Sequence, residues 1–260
     1  MVRAKKYLGQ HFLKDQSIAA KISASLEFHE GYSQLLEIGP GTGVLTNYLT
    51  KLNLKQLTLV EIDHESVVYL KQHFSKDSFQ LIEDDFLEIQ LSKIGSDQLG
   101  IIGNFPYNIS SQIFFKVLEN RQQVPEVVCM LQKEVAQRIC ANEGSKVYGI
   151  LSVLLGAFYK RELLFNVPPH VFIPPPKVDS AVIRLQRLEN QKLPCDEKLF
   201  LRIVKQGFQN RRKTLRNALK PVNLPPEIIA DSMLNLRAEQ LSVSMFIELV
   251  QKIEAKWKIS

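Results

Sequence analysis

Cysteine is scarce: Cys129, Cys140 and Cys195 are the three present, and no two of them form a Cys-x-x-Cys pair. That leaves a disulfide framework or a thiolate zinc site without support, and free thiols are the reading. The five histidines, at 11, 29, 64, 73 and 170, show no metal-ligand spacing, so no metal is expected. Long apolar runs are missing too. The nearest to one, Ile150 to Phe158, falls far short of the roughly 18 residues that would cross a bilayer. The charged N-terminus, Met1-Val-Arg-Ala-Lys-Lys-Tyr7, has no apolar run behind it and does not read as a secretory signal. Cytoplasmic residence with no membrane partner is therefore the expectation. Internal repeats and low-complexity tracts are absent.

What remains is a globular composition. With 260 residues, 45% apolar and 23% charged, the chain can bury a sizeable core and has room for one large domain with an appendage or two modest ones. Nothing in it calls for more than a monomer. The net charge is +6, but residues 1–187 hold 20 basic and 19 acidic side chains, whereas 188–260 hold 13 and 8. Within 202–220, Arg202, Lys205, Arg211, Arg212, Lys213, Arg216 and Lys220 occur without one acid. The first fourteen residues repeat this in miniature. A nucleic-acid partner accounts for both clusters, because phosphate neutralisation supplies sequence-independent affinity; taken alone, a solvated helix face would do as well.

From residue 35 to about 187, short Val/Ile/Leu-rich runs alternate with longer amphipathic stretches. Leu35–Gly39, Leu57–Asp63, Phe79–Asp84, Gly100–Gly103 and Val124–Leu131 read as buried strands, which predicts a doubly wound α/β sheet. Ile150–Tyr159 reads as a helix, and Glu162–Val167 and Val178–Leu188 as two late edge strands. Between these lies a stiff loop, Val167 to Lys177, with five prolines in eleven residues. After Pro194 only helices are predicted, at about 196–208, 211–220, 225–235 and 242–257. The boundary is placed near 189, giving domains 1–188 and 189–260.

At the end of the first strand, Leu35-Leu-Glu-Ile-Gly-Pro-Gly-Thr-Gly43 sets glycines where an open α/β sheet binds ligands. The spacing is G-x-G-x-G, not that of the dinucleotide fingerprint. Glu37 precedes Gly39 and Gly41, Glu61 follows Gly39 by 22 residues, and Asp84 and Asp85 end the third strand. An acid at the position of Glu61 commonly holds a ribose diol. The set suits S-adenosylmethionine better than NAD, because that cofactor has no pyrophosphate and carries a sulfonium and an ammonium that favour carboxylates.

The fourth strand runs into Asn104-Phe-Pro-Tyr107, a pattern of enzymes that methylate a planar nitrogen. An exocyclic amine is a poor nucleophile, since its lone pair is delocalised into the ring. Both N–H groups must be held by acceptors, here the Asn104 side-chain oxygen and a main-chain carbonyl around Phe105–Pro106. Pro106 stiffens the turn, and Tyr107 offers a stacking face. Phe172 in the proline loop is expected as the opposing surface for a base removed from its helix, or else as a buried loop anchor.

These residues resemble the KsgA-type ribosomal RNA adenine dimethyltransferases of the small ribosomal subunit. The likeness spans nearly the whole chain: Leu8 to Asp15, Leu36 to Gly43, Gly103 to Ser110, Met130 to Arg138, Pro174 to Ala181 and Phe208 to Asn217. It implies a Rossmann-like class I S-adenosylmethionine-dependent methyltransferase sheet over 1–188, a small all-helical RNA-binding domain over 189–260, and a role in small-subunit biogenesis. The implied reaction carries methyl groups to N6 of two adjacent adenosines in the 3′-terminal hairpin loop of 16S rRNA. By position, His11, Leu13, Gly39, Glu61, Asp85 and Asn104 would line the cofactor, with Glu37, Gly41 and Asp84 beside them. His11 and Phe105 depart from the family's more frequent Asn and Leu, and His11 reads equally as a surface residue. On a helix over 211–220, Arg212, Lys213, Arg216 and Lys220 would share one arc, available with Arg211 to RNA phosphates. Two other readings stay open: an assembly or RNA-binding factor whose methylation is secondary, and methylation of a glutamine amide in a protein.

Overall fold

A computed structural model describes residues 2–95 and 98–257. In chain order the elements are β1 (Phe12–Leu13), α1 (Gln16–Ser23), β2 (Gln34–Ile38), α2 (Thr46–Leu49), β3 (Gln56–Glu61), α3 (His64–His73), β4 (Gln80–Glu83), β5 (Leu99–Asn104), α4 (Ser110–Glu119) and β6 (Glu126–Gln132). There follow α5 (Lys133–Cys140), α6 (Ile150–Gly156), β7 (Tyr159–Val167), β8 (Phe172–Ile173), β9 (Ser180–Arg187), and then α7 (Glu197–Gln209), α8 (Leu215–Ala218), α9 (Pro226–Ile229) and α10 (Val243–Trp257). Among the described residues no helix is long and apolar enough to cross a membrane, and no cluster of His, Cys, Asp and Glu could hold a metal ion.

Seven strands form one sheet in the order β4-β3-β2-β5-β6-β9-β7. The first five of these run parallel, and β9 pairs antiparallel with β6. All five parallel strands lie within two residues of where their apolar runs predict them. For β2 the reason is burial on both faces: every residue is buried, so apolar Leu35, Leu36 and Ile38 run together and are not confined to alternate positions, with Gln34 and Glu37 the polar residues buried among them. Aspartate side chains cap the starts of α1, α3 and α7. The Asp15 carboxylate accepts from the Ser17 and Ile18 amides at 2.9 and 3.1 Å to open α1, and Asp63 accepts from the Ser66 amide at 3.3 Å to open α3.

The topology fixes where a ligand can bind. From β2 the chain moves outward to β3 and β4, then returns to place β5 on the other side of β2. The order reverses between β2 and β5, and ligands bind outside the carboxyl ends of strands at such a point. Glu37 lies opposite Ile102 in the ladder, so the turns after β2 and β5 leave the sheet side by side. A Cβ on Gly103 would stand 2.5 Å from the Ile38 carbonyl oxygen, a distance no side chain tolerates.

Two compact units make up the chain: 1–136 with 160–187, and 137–159 with 188–260. The chain passes between the units at 136/137, 159/160 and 187/188, so 137–159 falls in the second unit. Its helix α6 packs its apolar side chains on α7 and α10, because Leu151, Val153, Leu154 and Leu155 need a partner that the other helices supply. Sequence patterning sees the apolar face and not which unit covers it.

The helical unit departs from expectation in two further places. Instead of one helix over 211–220, α8 covers Leu215–Ala218: the Lys213 amide closes a turn onto Asn210, and Thr214 is extended at ψ 156°, bridging to Arg237. The shared arc of Arg212, Lys213, Arg216 and Lys220 is therefore not a helical face. The helix predicted over 225–235 is α9 followed by a 3-10 turn at Ser232–Asn235, because Asp231 caps the Met233 amide at 2.8 Å and breaks the run. The proline loop holds one unforeseen element: β8 pairs antiparallel with β1, Leu13 opposite Phe172 and Phe12 opposite Ile173. Two-residue strands leave no periodic signature.

Candidate functional site

A cleft of about 240 Å³ opens at the carboxyl edge where β2 and β5 separate. One wall is the glycine turn, with Gly39 and Gly41; the floor carries Glu61 from β3 and Asp84 and Asp85 after β4. The other wall is Asn104 to Asn108, and the segment Leu8 to Phe12 lies across it. Gly39 and Gly41 take φ of +65° and +56°, a region open to glycine. At Gly41 the need is double, since a Cβ would also meet the Phe12 ring at 2.8 Å.

The carboxylates are held before any ligand arrives. Glu61, 4% exposed, accepts from the Gly41 amide at 3.0 Å and the Asp63 amide at 2.9 Å, one on each oxygen. Burial raises its pKa, while those amides work against the rise. Asp63 in turn pairs with Lys5 of the N-terminal segment and with Ser66; burial opposes ionisation, but those hydrogen bonds outweigh it and the pKa falls. Asp84 is exposed and Asp85 half-buried. The Asp84 carboxylate accepts from the Asp85 amide at 2.8 Å, and Asp85 accepts from the Leu87 amide at 2.9 Å.

Glu37 stands apart from the cleft. It is 1% exposed and accepts from the Thr46 hydroxyl at 2.7 Å, and burial pushes its carboxyl up to about 8. Together with Leu13, Thr42 and Asn104 it lines a separate cavity of about 30 Å³ behind the glycine turn. Leu13 faces that small cavity and the core, not the main cleft.

Asn104 lines both spaces. Its Nδ2 donates to the His11 carbonyl at 2.9 Å, and since a carbonyl accepts only, this contact fixes which way the amide points. The remaining Oδ1 is buried and, among the described residues, has no hydrogen-bond partner. Phe105 donates its amide to the Met130 carbonyl at 2.9 Å and is buried against Phe114, with ring centroids 5.9 Å apart. Pro106 and Tyr107 line the cleft. The Tyr107 hydroxyl meets the Ser180 hydroxyl at 2.6 Å, and burial raises its pKa.

Phe172 is the clear correction. It is 1% exposed, sits in the core with Val128, Met130 and Val182, and does not line the cleft. Pairing with β1 turns its side chain inward, the anchor reading of that residue. The ring that lies on Tyr107 belongs to His11, with centroids 5.2 Å apart and planes 30° from parallel. Sequence reasoning also missed Ser180, which holds the Tyr107 hydroxyl; the Lys177-Val-Asp-Ser180 run signalled importance without assigning a contact. Thr46, the partner of Glu37, carried no signal.

In the helical unit the predicted RNA-binding cations divide. Arg211 pairs with Glu239 at 2.7 Å and donates to the Lys146 carbonyl; Arg216 donates to Asn235 Oδ1 at 2.8 Å and to the Ile229 carbonyl. Arg212, Lys213 and Lys220 are exposed and, among the described residues, carry no side-chain hydrogen bond or ion pair.

Comparison with known proteins bears on this arrangement. The chain is 54% identical over 255 residues to the ribosomal RNA small subunit methyltransferase A of Cytophaga hutchinsonii, covering 98% of this chain and 99% of that one. To the protein of that name from Flavobacterium johnsoniae it is 55% identical over 255 residues, covering 98% and 97%. A solved dimethyladenosine transferase from Plasmodium falciparum superposes with a TM-score of 0.82 at 27% identity, covering 95% of this chain and 98% of that one. The 23S rRNA methyltransferase ErmE shares the fold at a TM-score of 0.67 and 24% identity, over 92% and 99% of the two chains. A family model described as ribosomal RNA adenine dimethylase matches residues 1–253, and the chain belongs to that family.

Proposed function

We propose that this protein dimethylates N6 of two adjacent adenosines in the 3′-terminal hairpin loop of small-subunit ribosomal RNA, with S-adenosylmethionine as methyl donor, in the cytoplasm during subunit biogenesis. The observation that carries the reading is Asn104 Oδ1: a buried acceptor without a partner, on an amide whose other end is already committed. A buried polar atom left unpaired costs roughly 1–3 kcal/mol, and an adenine amino hydrogen would satisfy it.

The donor set fits the cofactor's chemistry. S-adenosylmethionine, when bound, supplies an electrophilic methyl on a sulfonium. Gly39 and Gly41 let the backbone approach closely, and Glu61, Asp84 and Asp85 give acceptors and negative charge along the floor. Glu37 sits behind the turn and would act on the cofactor side through Asn104 and Gly39, which share its small cavity. Asn104 and a main-chain carbonyl of Phe105–Pro106 would grip both amino hydrogens, turning the nitrogen lone pair toward the methyl group, while Tyr107 stacks on the base. Positioning and polarisation do the work, without a strong general base. The proton released at each transfer passes to solvent at the cleft mouth. The helical unit, a single copy sufficing, would engage RNA phosphates through Arg212, Lys213 and Lys220.

Incubating the protein with labelled S-adenosylmethionine and unmethylated small subunits, then digesting the RNA to nucleosides, tests this directly. Label in N6,N6-dimethyladenosine is the expected result; label confined to protein, or none, overturns it.

A further inference from the structure

The turn that carries Asp84 and Asp85 has a support from outside the cleft. After β4 the chain spends its amides inward: Leu87 donates to the Asp85 carboxylate at 2.9 Å, and Glu88 donates to the Asp85 carbonyl at 2.9 Å. The Asp84 amide donates to the Glu61 carbonyl at 3.1 Å, which ties the near end of the turn to β3. The far end is held by a side chain. The carbonyls of Phe86 and Leu87 both accept from the Lys116 ammonium on α4, at 2.6 and 2.8 Å. That ammonium also lies over the buried Phe86 ring, 5.0 Å from its centroid.

Lys116 reaches the turn from a fixed base. Its neighbours Ile113, Phe114 and Val117 are fully buried, and the Phe114 ring packs on Phe105 with centroids 5.9 Å apart. An ammonium has three donors and no acceptor, which suits it to two successive carbonyls. From this geometry we infer that Lys116 is a positioning residue for the cofactor: by holding the Phe86 and Leu87 carbonyls it fixes the turn that sets Asp84 and Asp85 on the cleft floor. The inference rests on S-adenosylmethionine being the methyl donor, and it adds a residue that does not itself line the cleft.

Charge alone argues the other way. The carboxylates of Glu88, Asp85, Glu119 and Asp84 all act on the Lys116 ammonium, although burial outweighs them and lowers its pKa. A cation among those acids offsets the negative charge that would favour a sulfonium. If Lys116 mattered through its charge, removing it would tighten binding of the cationic cofactor; if it matters through its bonds, removing it loosens the turn and weakens binding.

The test is Lys116→Met in the full chain, because methionine keeps an apolar stem under the turn and removes the donors. Affinity for S-adenosylmethionine and for S-adenosylhomocysteine, which lacks the sulfonium charge, should fall by about tenfold for each, the order expected when hydrogen bonds from a charged group are lost. Single-turnover methyl transfer to unmethylated small subunits at saturating cofactor should stay within about twofold of wild type. In the free protein, amide hydrogen exchange should quicken at Leu87 and Glu88 and remain unchanged in β2 and β5. Binding of S-adenosylmethionine that is unchanged or tighter overturns the proposal, as does a loss confined to one of the two ligands, which would make Lys116 a matter of charge. A rate defect at saturating cofactor with affinity intact also overturns it. So does faster exchange throughout β2 and β5 with a lower melting temperature, since Lys116 would then support the whole sheet. A wild-type protein that binds neither ligand overturns the cofactor reading itself, and the proposal with it.

Discussion

In the sheet unit, acidic side chains that face the cleft are engaged with backbone amides: Glu61 holds Gly41 and Asp63, and Asp84 and Asp85 hold their own loop. In the helical unit, the basic stretch is split, with Arg211 and Arg216 turned onto neighbouring groups and Arg212, Lys213 and Lys220 left to solvent. On the proposed function, the contrast follows from what each surface has to do. A cleft that recognises one small molecule must be ordered in advance, so its polar groups are fixed by the chain itself. A surface that meets a polyphosphate needs charge within a Debye length and little else. Among the described residues that line the cleft, Asn104 Oδ1 is the buried polar atom left without a partner, and for that reason the most informative position.

The largest effect expected is accordingly at Asn104. Replacing it with alanine removes the free acceptor and the tie to His11 together, and methyl transfer to unmethylated small subunits should fall by at least about a hundredfold. RNA affinity, measured by filter binding at fixed salt, should hold. A variant that turns over normally would make the unpaired oxygen a packing accident and erase the contrast between the two units.

The pattern of legible and illegible features follows the range of the interactions involved. The sheet could be read because the central strands, buried on both faces, carry runs of adjacent apolar residues, and the glycine turn and tetrad because their spacing is local. Phe172 could not be placed, since its burial depends on pairing with Leu13, some 160 residues earlier in the chain. The same is true of α6, whose unit is decided by α7 and α10, and of His11, which reaches Tyr107 through a segment with no periodicity. Charges in 211–220 were visible as charges, but which were already bonded depended on Glu239, Asn235 and two carbonyls from elsewhere in the unit.

A second test concerns the carboxylate that is buried and not held by amides. Glu37 is raised from 4.5 to about 8, so between those values the folded chain keeps a proton that the unfolded chain releases. Stability should therefore decline as pH rises through this window, by up to about 1.4 kcal/mol per pH unit, and level off above it. Glu37→Gln has no proton to lose and keeps an acceptor for Thr46. Thermal melts at pH 5 and pH 8 should show the wild type losing more stability than the variant, with the two similar at the lower pH. Parallel curves would show that Glu37 ionises in the fold, and the contrast between amide-held and buried acids would need redrawing.

The smallest effect separates the two classes of cation in the helical unit. Arg212 and Lys213 are exposed and unbonded, so replacing both with alanine should leave thermal stability nearly unchanged and lower the salt slope of RNA binding by about two units. Arg211→Ala should do the reverse. Its pair with Glu239 is partly exposed and screened, which limits the stability loss to about 1 kcal/mol or less, and a guanidinium already turned onto Glu239 and the Lys146 carbonyl has little left for phosphate. The measurement is RNA affinity from low to high salt alongside a melt for each variant. Should Arg211→Ala reduce the slope as far as the double variant, the internal bonds yield to RNA on contact, and the division between engaged and available charge dissolves.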